Sequence, residues 1–219
     1  MIVNPIKKGY SLRMPKPLPK FLPDEKIYVL FKSLKNYRDR AMFMLMLRCG
    51  MRVEEVANLT LSAIDLKRKR IMIYDAKWGK DRIVYVSNDA LRALVDYLKV
   101  RPASRVRNLF LVEKGTYSGK PLSIRGIQKR MEYYGKKTGL KVSCHRLRHT
   151  MATQLLNAGA ELVTIQDLLG HGWITTTQRY CRVFNLKVQR DYYRAMEVVI
   201  QRTTTTSLTI DKKEKVMKD

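Results

Sequence analysis

The chain has 219 residues and is 45% hydrophobic, enough for a sizeable core, which excludes a wholly disordered protein. Lys and Arg number 44 against 19 Asp and Glu, and this formal charge of +25 calls for a polyanionic partner, nucleic acid ahead of a membrane surface. No apolar run approaches the roughly 20 residues of a spanning helix, the N-terminus lacks the shape of a signal peptide, and Cys49, Cys144 and Cys181 show no CxxC pairing, which fits a reducing, cytoplasmic setting.

Residues 1–20, rich in proline and basic side chains, read as a basic arm or linker. Pro23, Asp24 and Glu25 then offer a helix start, with Ile27, Leu30 and Phe31 facing inward. A second helix begins near Tyr37. Its stretch Ala41 to Leu47 is apolar all round, the mark of a buried central helix, and it ends at Cys49 and Gly50. Arg52 follows that break at once and leads into a short helix with Glu54, Glu55 and Leu59; an ion pair with Glu55 is the competing reading for this arginine.

From Arg70 to Val86 the period changes to two, giving strands at Arg70 to Tyr74 and Arg82 to Val86, joined by a hairpin loop that carries Lys77 and Lys80. Ser87 to Asp89 caps a helix reaching about Lys99, with Leu91, Leu94, Val95 and Leu98 inward. Asn108 to Val112 suggests one more short strand, and Ser123 to Lys137 a helix whose Arg125, Lys129, Arg130, Lys136 and Lys137 suit phosphate contacts. The next helix runs through HRLRHTMATQLL and stops at Asn157, Ala158 and Gly159. An amphipathic helix at 186–201 comes last, and residues 202–219 read as a flexible charged tail. The predicted class is mainly α with a small antiparallel β-sheet.

The chemistry concentrates between Cys144 and Arg182, which holds all three histidines. His145 and Arg148, three apart, share a face at a helix start, where an anion meets the positive end of the dipole. Metal-free cleavage of a phosphodiester needs a nucleophile at phosphorus, neutralised non-bridging oxygens and a proton for the departing sugar oxygen. The planar fork of arginine suits the second task, making Arg52 and Arg148 candidates. Lys77 or His145 can deliver the proton. A tyrosine nucleophile, with a solution pKa near ~10, needs a cationic neighbourhood to ionise. A zinc site at His145 and His149, four apart, is disfavoured because the residues between are Arg-Leu-Arg, with no glutamate to act as base.

Taken together, Arg52 in CGMRVEEVANL, Lys77 in AKWGKDRIVYV, His145 and Arg148 in HRLRHTMATQLL, His171 in LLGHGWITTTQRY, and Tyr180 closing that segment resemble the tyrosine recombinase, or phage integrase, family in order and spacing. The resemblance covers about Phe21 to Gln201 and implies a catalytic domain over 21–201. It implies that Tyr180 attacks the scissile phosphate to give a 3′-phosphotyrosine, that Arg52, Arg148, His145 and His171 clamp it, and that Lys77 protonates the leaving 5′-oxygen. Glu55 matches an acidic position that orients its neighbours. No metal or other cofactor is implied. The implied partner is double-stranded DNA, bound by a tetramer of subunits joined through the helix at 186–201. Related chemistry without strand exchange, as in type IB topoisomerases and telomere resolvases, and a DNA-binding module without cleavage are the alternatives. Family members usually carry a helical core-binding domain ahead of the catalytic one; only some twenty residues stand there in this chain, so weak, salt-sensitive DNA binding is expected.

Overall fold

A computed structural model describes residues 21–74, 81–170 and 186–216. Helix α1 (Asp24–Ser33) opens on Asp24 and Glu25 and closes near Lys32, each charge favourable at its end of the dipole, and buries Ile27, Leu30 and Phe31. Helix α2 (Tyr37–Arg48) starts where the Asn36 side chain accepts a hydrogen bond from the Asp39 amide at 2.9 Å. Its Ala41, Met42, Phe43, Leu45, Met46 and Leu47 are all buried, so it is the central helix its composition demands. Helix α3 (Val53–Asn58) follows, and a 3₁₀ turn at Leu61–Ala63 leads to the sheet.

The sheet has three antiparallel strands in the order β1 (Ile64–Asp65), β2 (Arg70–Ile73), β3 (Arg82–Tyr85). Its register pairs Arg70 with Tyr85 and Ile73 with Arg82. The two-residue β1 is too short to show in the sequence as an alternation.

Helix α4 (Asn88–Val100) occupies the predicted span with its inner face turned. Ala90, Ala93, Leu94 and Tyr97 are buried, while Leu91 and Leu98 pack at the edge of the core. The Tyr97 hydroxyl donates to the Leu109 carbonyl at 3.2 Å, and Arg101 takes the Leu109 and Asn108 carbonyls at 2.8 and 2.7 Å. Side chains thus hold carbonyls that a ladder would use, and 108–112 makes only isolated bridges, Thr60 with Asn108 and Leu111 with Pro121.

Helix α5 (Ile124–Thr138) is capped by Ser123 and ends at Gly139, whose φ of 67° suits glycine. Of its predicted phosphate-facing residues, Arg130 points inward and bonds Asp39 at 2.7 Å, whereas Arg125, Lys129, Lys136 and Lys137 are exposed. Helices α6 (Cys144–Asn157), α7 (Leu162–Leu169) and α8 (Leu186–Val216) complete the chain. Helix α8 continues well beyond residue 201 into the segment read as a tail. No glycine or proline interrupts it, and Thr203, Thr204, Thr205 and Thr209 each bond back to the carbonyl four residues earlier.

Two apolar clusters make the core. The larger joins α1 to α5 with the sheet; the smaller joins α6, α7 and α8 around Met151, Leu155, Leu168, Tyr192 and Met196. Helix α6 belongs to both, through Leu147 in one and Met151 and Leu155 in the other, and β3 does the same through Val84 and Tyr85. These two elements therefore set what lies at the junction. None of the described helices is long and apolar enough to cross a membrane.

Candidate active site

The junction is built from four short segments. Helix α2 ends at Gly50, held at φ +66°, where a Cβ would lie 3.1 Å from Leu169 Cδ2 and 3.2 Å from Met151 Sδ. The left-handed backbone favours glycine, and a Cβ there would crowd both side chains. The tight turn aims the Gly50 carbonyl at α6, where Arg148 Nη1 donates to it.

Arg52 stands at the start of α3. Its amide donates to Glu55 Oε2 at 2.7 Å, its Nη1 to Glu55 Oε1 at 2.8 Å, and its Nη2 to the Gly170 carbonyl at 3.0 Å. The ion pair with Glu55 is thus real, and it leaves the guanidinium also spanning to the end of α7. Arg148, only 5% exposed, donates its Nη2 to the Leu169 carbonyl, the residue before Gly170. Two guanidiniums from opposite ends of the domain therefore bond consecutive carbonyls of one turn.

Those cations repel. Burial first, then the charges of Arg52 and Arg82, pushes Arg148 down to about 10, with Glu55 opposing. Burial alone would raise the Glu55 carboxyl; the hydrogen bonds and charge of Arg82, joined by those of Arg52, outweigh it and hold Glu55 below its ordinary value. The result is a partly buried region of concentrated positive charge, suited to an oxyanion.

Helix α6 begins with Ser143 capping the Arg146 amide at 3.2 Å, so its first turn is well formed and its amides are directed outward. His145 is exposed on that turn, and its Nε2 lies 2.7 Å from His149 Nε2, one ring donating and the other accepting. Burial, His145 and Arg148 lower the His149 pKa, which favours the neutral ring. No group of three or more His, Cys, Asp or Glu side chains placed to hold an ion occurs among the described residues. Burial pushes the Cys144 thiol up to about 11 and raises Cys49 further, so neither is a ready nucleophile.

Of the residues singled out from the sequence, Arg52, Glu55 and Arg148 meet at the Gly50 and Gly170 turns, and His145 sits on the same helix start as Arg148. Lys77, His171 and Tyr180 lie outside the described residues. Of the tyrosines on α5 and α8, Tyr134 and Tyr192 are buried, whereas Tyr133 is 49% exposed and lies beneath Arg130. Arg82 was not anticipated. It makes a two-pronged pair with Glu55 at 2.7 and 2.8 Å and bonds the Leu168 carbonyl at 3.2 Å. In the sequence it is one more cation in a strand; only its register, opposite Ile73, directs it to this junction.

A three-stranded sheet and a helical body joined at such an arginine-rich turn define the fold of tyrosine recombinase catalytic domains. The chain belongs to the phage integrase family, whose model matches residues 20–186. It is 34% identical to the tyrosine recombinase XerA of Pyrococcus horikoshii over 171 residues, covering 78% of this chain and 59% of that protein. The chain therefore spans about three fifths of the length of that curated relative. The crystal structure of a XerA recombinase superposes with a TM-score of 0.66 at 30% identity, covering 82% of this chain and 65% of the other. XerH bound to its difH substrate shares the fold, with a TM-score of 0.60 at 24% identity over 83% of this chain and 52% of the other.

Proposed function

We propose that residues 21–201 are the catalytic domain of a DNA-associated, site-specific recombinase that cleaves and rejoins double-stranded DNA through a 3′-phosphotyrosine. The observation that carries this reading is the convergence of Arg52 and Arg148 on the adjacent Leu169 and Gly170 carbonyls. Their remaining donors suit the non-bridging oxygens of one phosphate, and developing charge there is stabilised by groups already in place.

In the proposed reaction the Tyr180 oxygen attacks phosphorus, and its proton passes to a histidine, His145 or His171. A new oxygen–phosphorus bond forms as the bond to the 5′-oxygen breaks, and Lys77 supplies the proton that the departing oxygen takes. Glu55 holds Arg52 from behind. Religation reverses these steps with the 5′-hydroxyl of another strand, so bond energy is conserved without a nucleotide. Exchange between two sites needs several subunits, and the helix at 186–201 is the proposed contact between them.

A nicked suicide duplex carrying the recombination site tests this proposal. The intact chain is expected to accumulate a covalent adduct, lost in Tyr180→Phe although that variant still binds. Binding by the intact chain with no adduct would leave a DNA-binding module. Relaxation of a single plasmid without exchange between two sites would instead place the chain with the topoisomerases.

A further inference from the structure

Arg82 has no part in the chemistry set out above, yet from β3 it touches two of the segments that carry it, α3 and the end of α7. Its fork grips both oxygens of Glu55 at 2.7 and 2.8 Å, and its Nε bonds the Leu168 carbonyl at 3.2 Å. A Cβ on Gly170, the residue before His171, would come within 3.0 Å of Arg82 Cδ and 3.2 Å of its Nε and Nη1. Arg82 also begins β3, the first described strand after Lys77 in the chain. Its side chain is 11% exposed, as is that of Glu55.

Glu55 already has a partner in Arg52, so the carboxylate does not need Arg82 for neutralisation alone. What the second arginine adds is direction. A carboxylate gripped at both oxygens by a fork cannot rotate, and so its bonds to the Arg52 amide and Nη1 are fixed. We propose that Arg82 is a positioning residue for the proposed recombinase reaction, fixing Glu55 and thereby Arg52 while tying the hairpin strand to the end of α7. This inference rests on the recombinase reading for its effect on cleavage but not for the contact itself.

Because a small misplacement of a phosphate-binding group can cost about 100-fold in rate, Arg82→Met in the full chain is expected to slow adduct formation on a suicide duplex by that order while binding it within about twofold. Glu55→Gln should show a similar loss, and the double variant should be no slower than either alone. The charged groups facing Glu55 among the described residues are Arg52 on α3, Arg82 on β3 and Arg148 on α6. Removing Arg82 leaves burial less opposed, so the acid limb of cleavage should move to higher pH in Arg82→Met. In Arg82→Lys, which keeps the charge and loses the fork, that limb should stay near its wild-type position while the maximal rate remains low.

Near-normal cleavage by Arg82→Met, additive losses in the double variant, or an unmoved acid limb would overturn the proposal. Should Arg82→Met fail to fold, Arg82→Lys provides the rate test, and wild-type speed there would overturn it equally. Should the wild-type chain form no adduct, the recombinase reading falls separately. The contact is then judged without DNA from the Arg52 Nε–Hε resonance. This should shift or broaden in Arg82→Lys but not in a variant of exposed Arg105; an unchanged resonance would overturn the hub.

Discussion

Arg148 is an expensive residue. It is nearly buried, it faces two other guanidiniums, and its hydrogen bonds go to neutral carbonyls, so its basicity falls to about 10. In the proposed reaction, a phosphate placed between Arg148 and Arg52 would relieve that repulsion. The fork matters as much as the charge. Arg148→Lys is expected to slow adduct formation by about 100-fold or more, measured in single turnover at saturating protein. Glu55 makes the opposite contribution. Its folded pKa is depressed from the ordinary 4.5, so the stability it adds is present above that value and lost as pH falls through the lower folded one. Below pH 4.5 the melting temperature of the wild-type chain should therefore fall more steeply than that of Glu55→Gln, whose curve lacks this component. Parallel curves would remove Glu55 from the account.

At the scale of elements, α2 and α6 carry the site and their packing sets its precision. Gly50 ends α2 with φ +66° against Leu169 and Met151. Gly50→Ala should lose roughly 1–2 kcal/mol from the left-handed backbone alone, and cleavage should fall as well because the Arg148 acceptor moves. At the other end of α2, Asp39 is wholly buried and accepts from Arg38 at 2.9 Å, Arg130 at 2.7 Å and Tyr134 at 3.1 Å. Asp39→Ala leaves Arg38 buried with only Glu113, 3.7 Å away, as counter-charge. Urea denaturation should show a loss of about 3 kcal/mol.

These elements differ in how far the sequence betrays them. The spans of α1, α2, α4, α5 and α6 follow from apolar period and capping residues, since each buries one stripe or, for α2, most of its girth. The inner face of α4 was misjudged because Ala90 and Ala93 are small enough to approach the core closely and Tyr97 is held there by its hydroxyl. Arg52, Glu55 and Arg148 were legible through their motifs. Arg82 was not, because its meaning lies in a partner 27 residues away, and local charge pattern carries no record of that.

For the whole molecule, the proposed DNA partner would be met chiefly through the formal charge of +25. If about six to ten phosphates are neutralised, raising salt from about 50 to 200 mM should weaken binding by on the order of a thousandfold or more, measurable by fluorescence anisotropy on a labelled site. A nearly flat salt profile would mean that the charge serves another partner. The fold and the turn at Leu169 and Gly170 form one body, because α6 and β3 belong to both apolar clusters.

The central proposal is that the Tyr180 phenol becomes joined to a DNA 3′-phosphate. Mass spectrometry of the protease-digested adduct tests it most directly. A nucleotide carried on the peptide at Tyr180, with a free 5′-hydroxyl on the released strand, is the predicted result. Linkage to any other residue, or through a 5′-phosphate, would contradict the account.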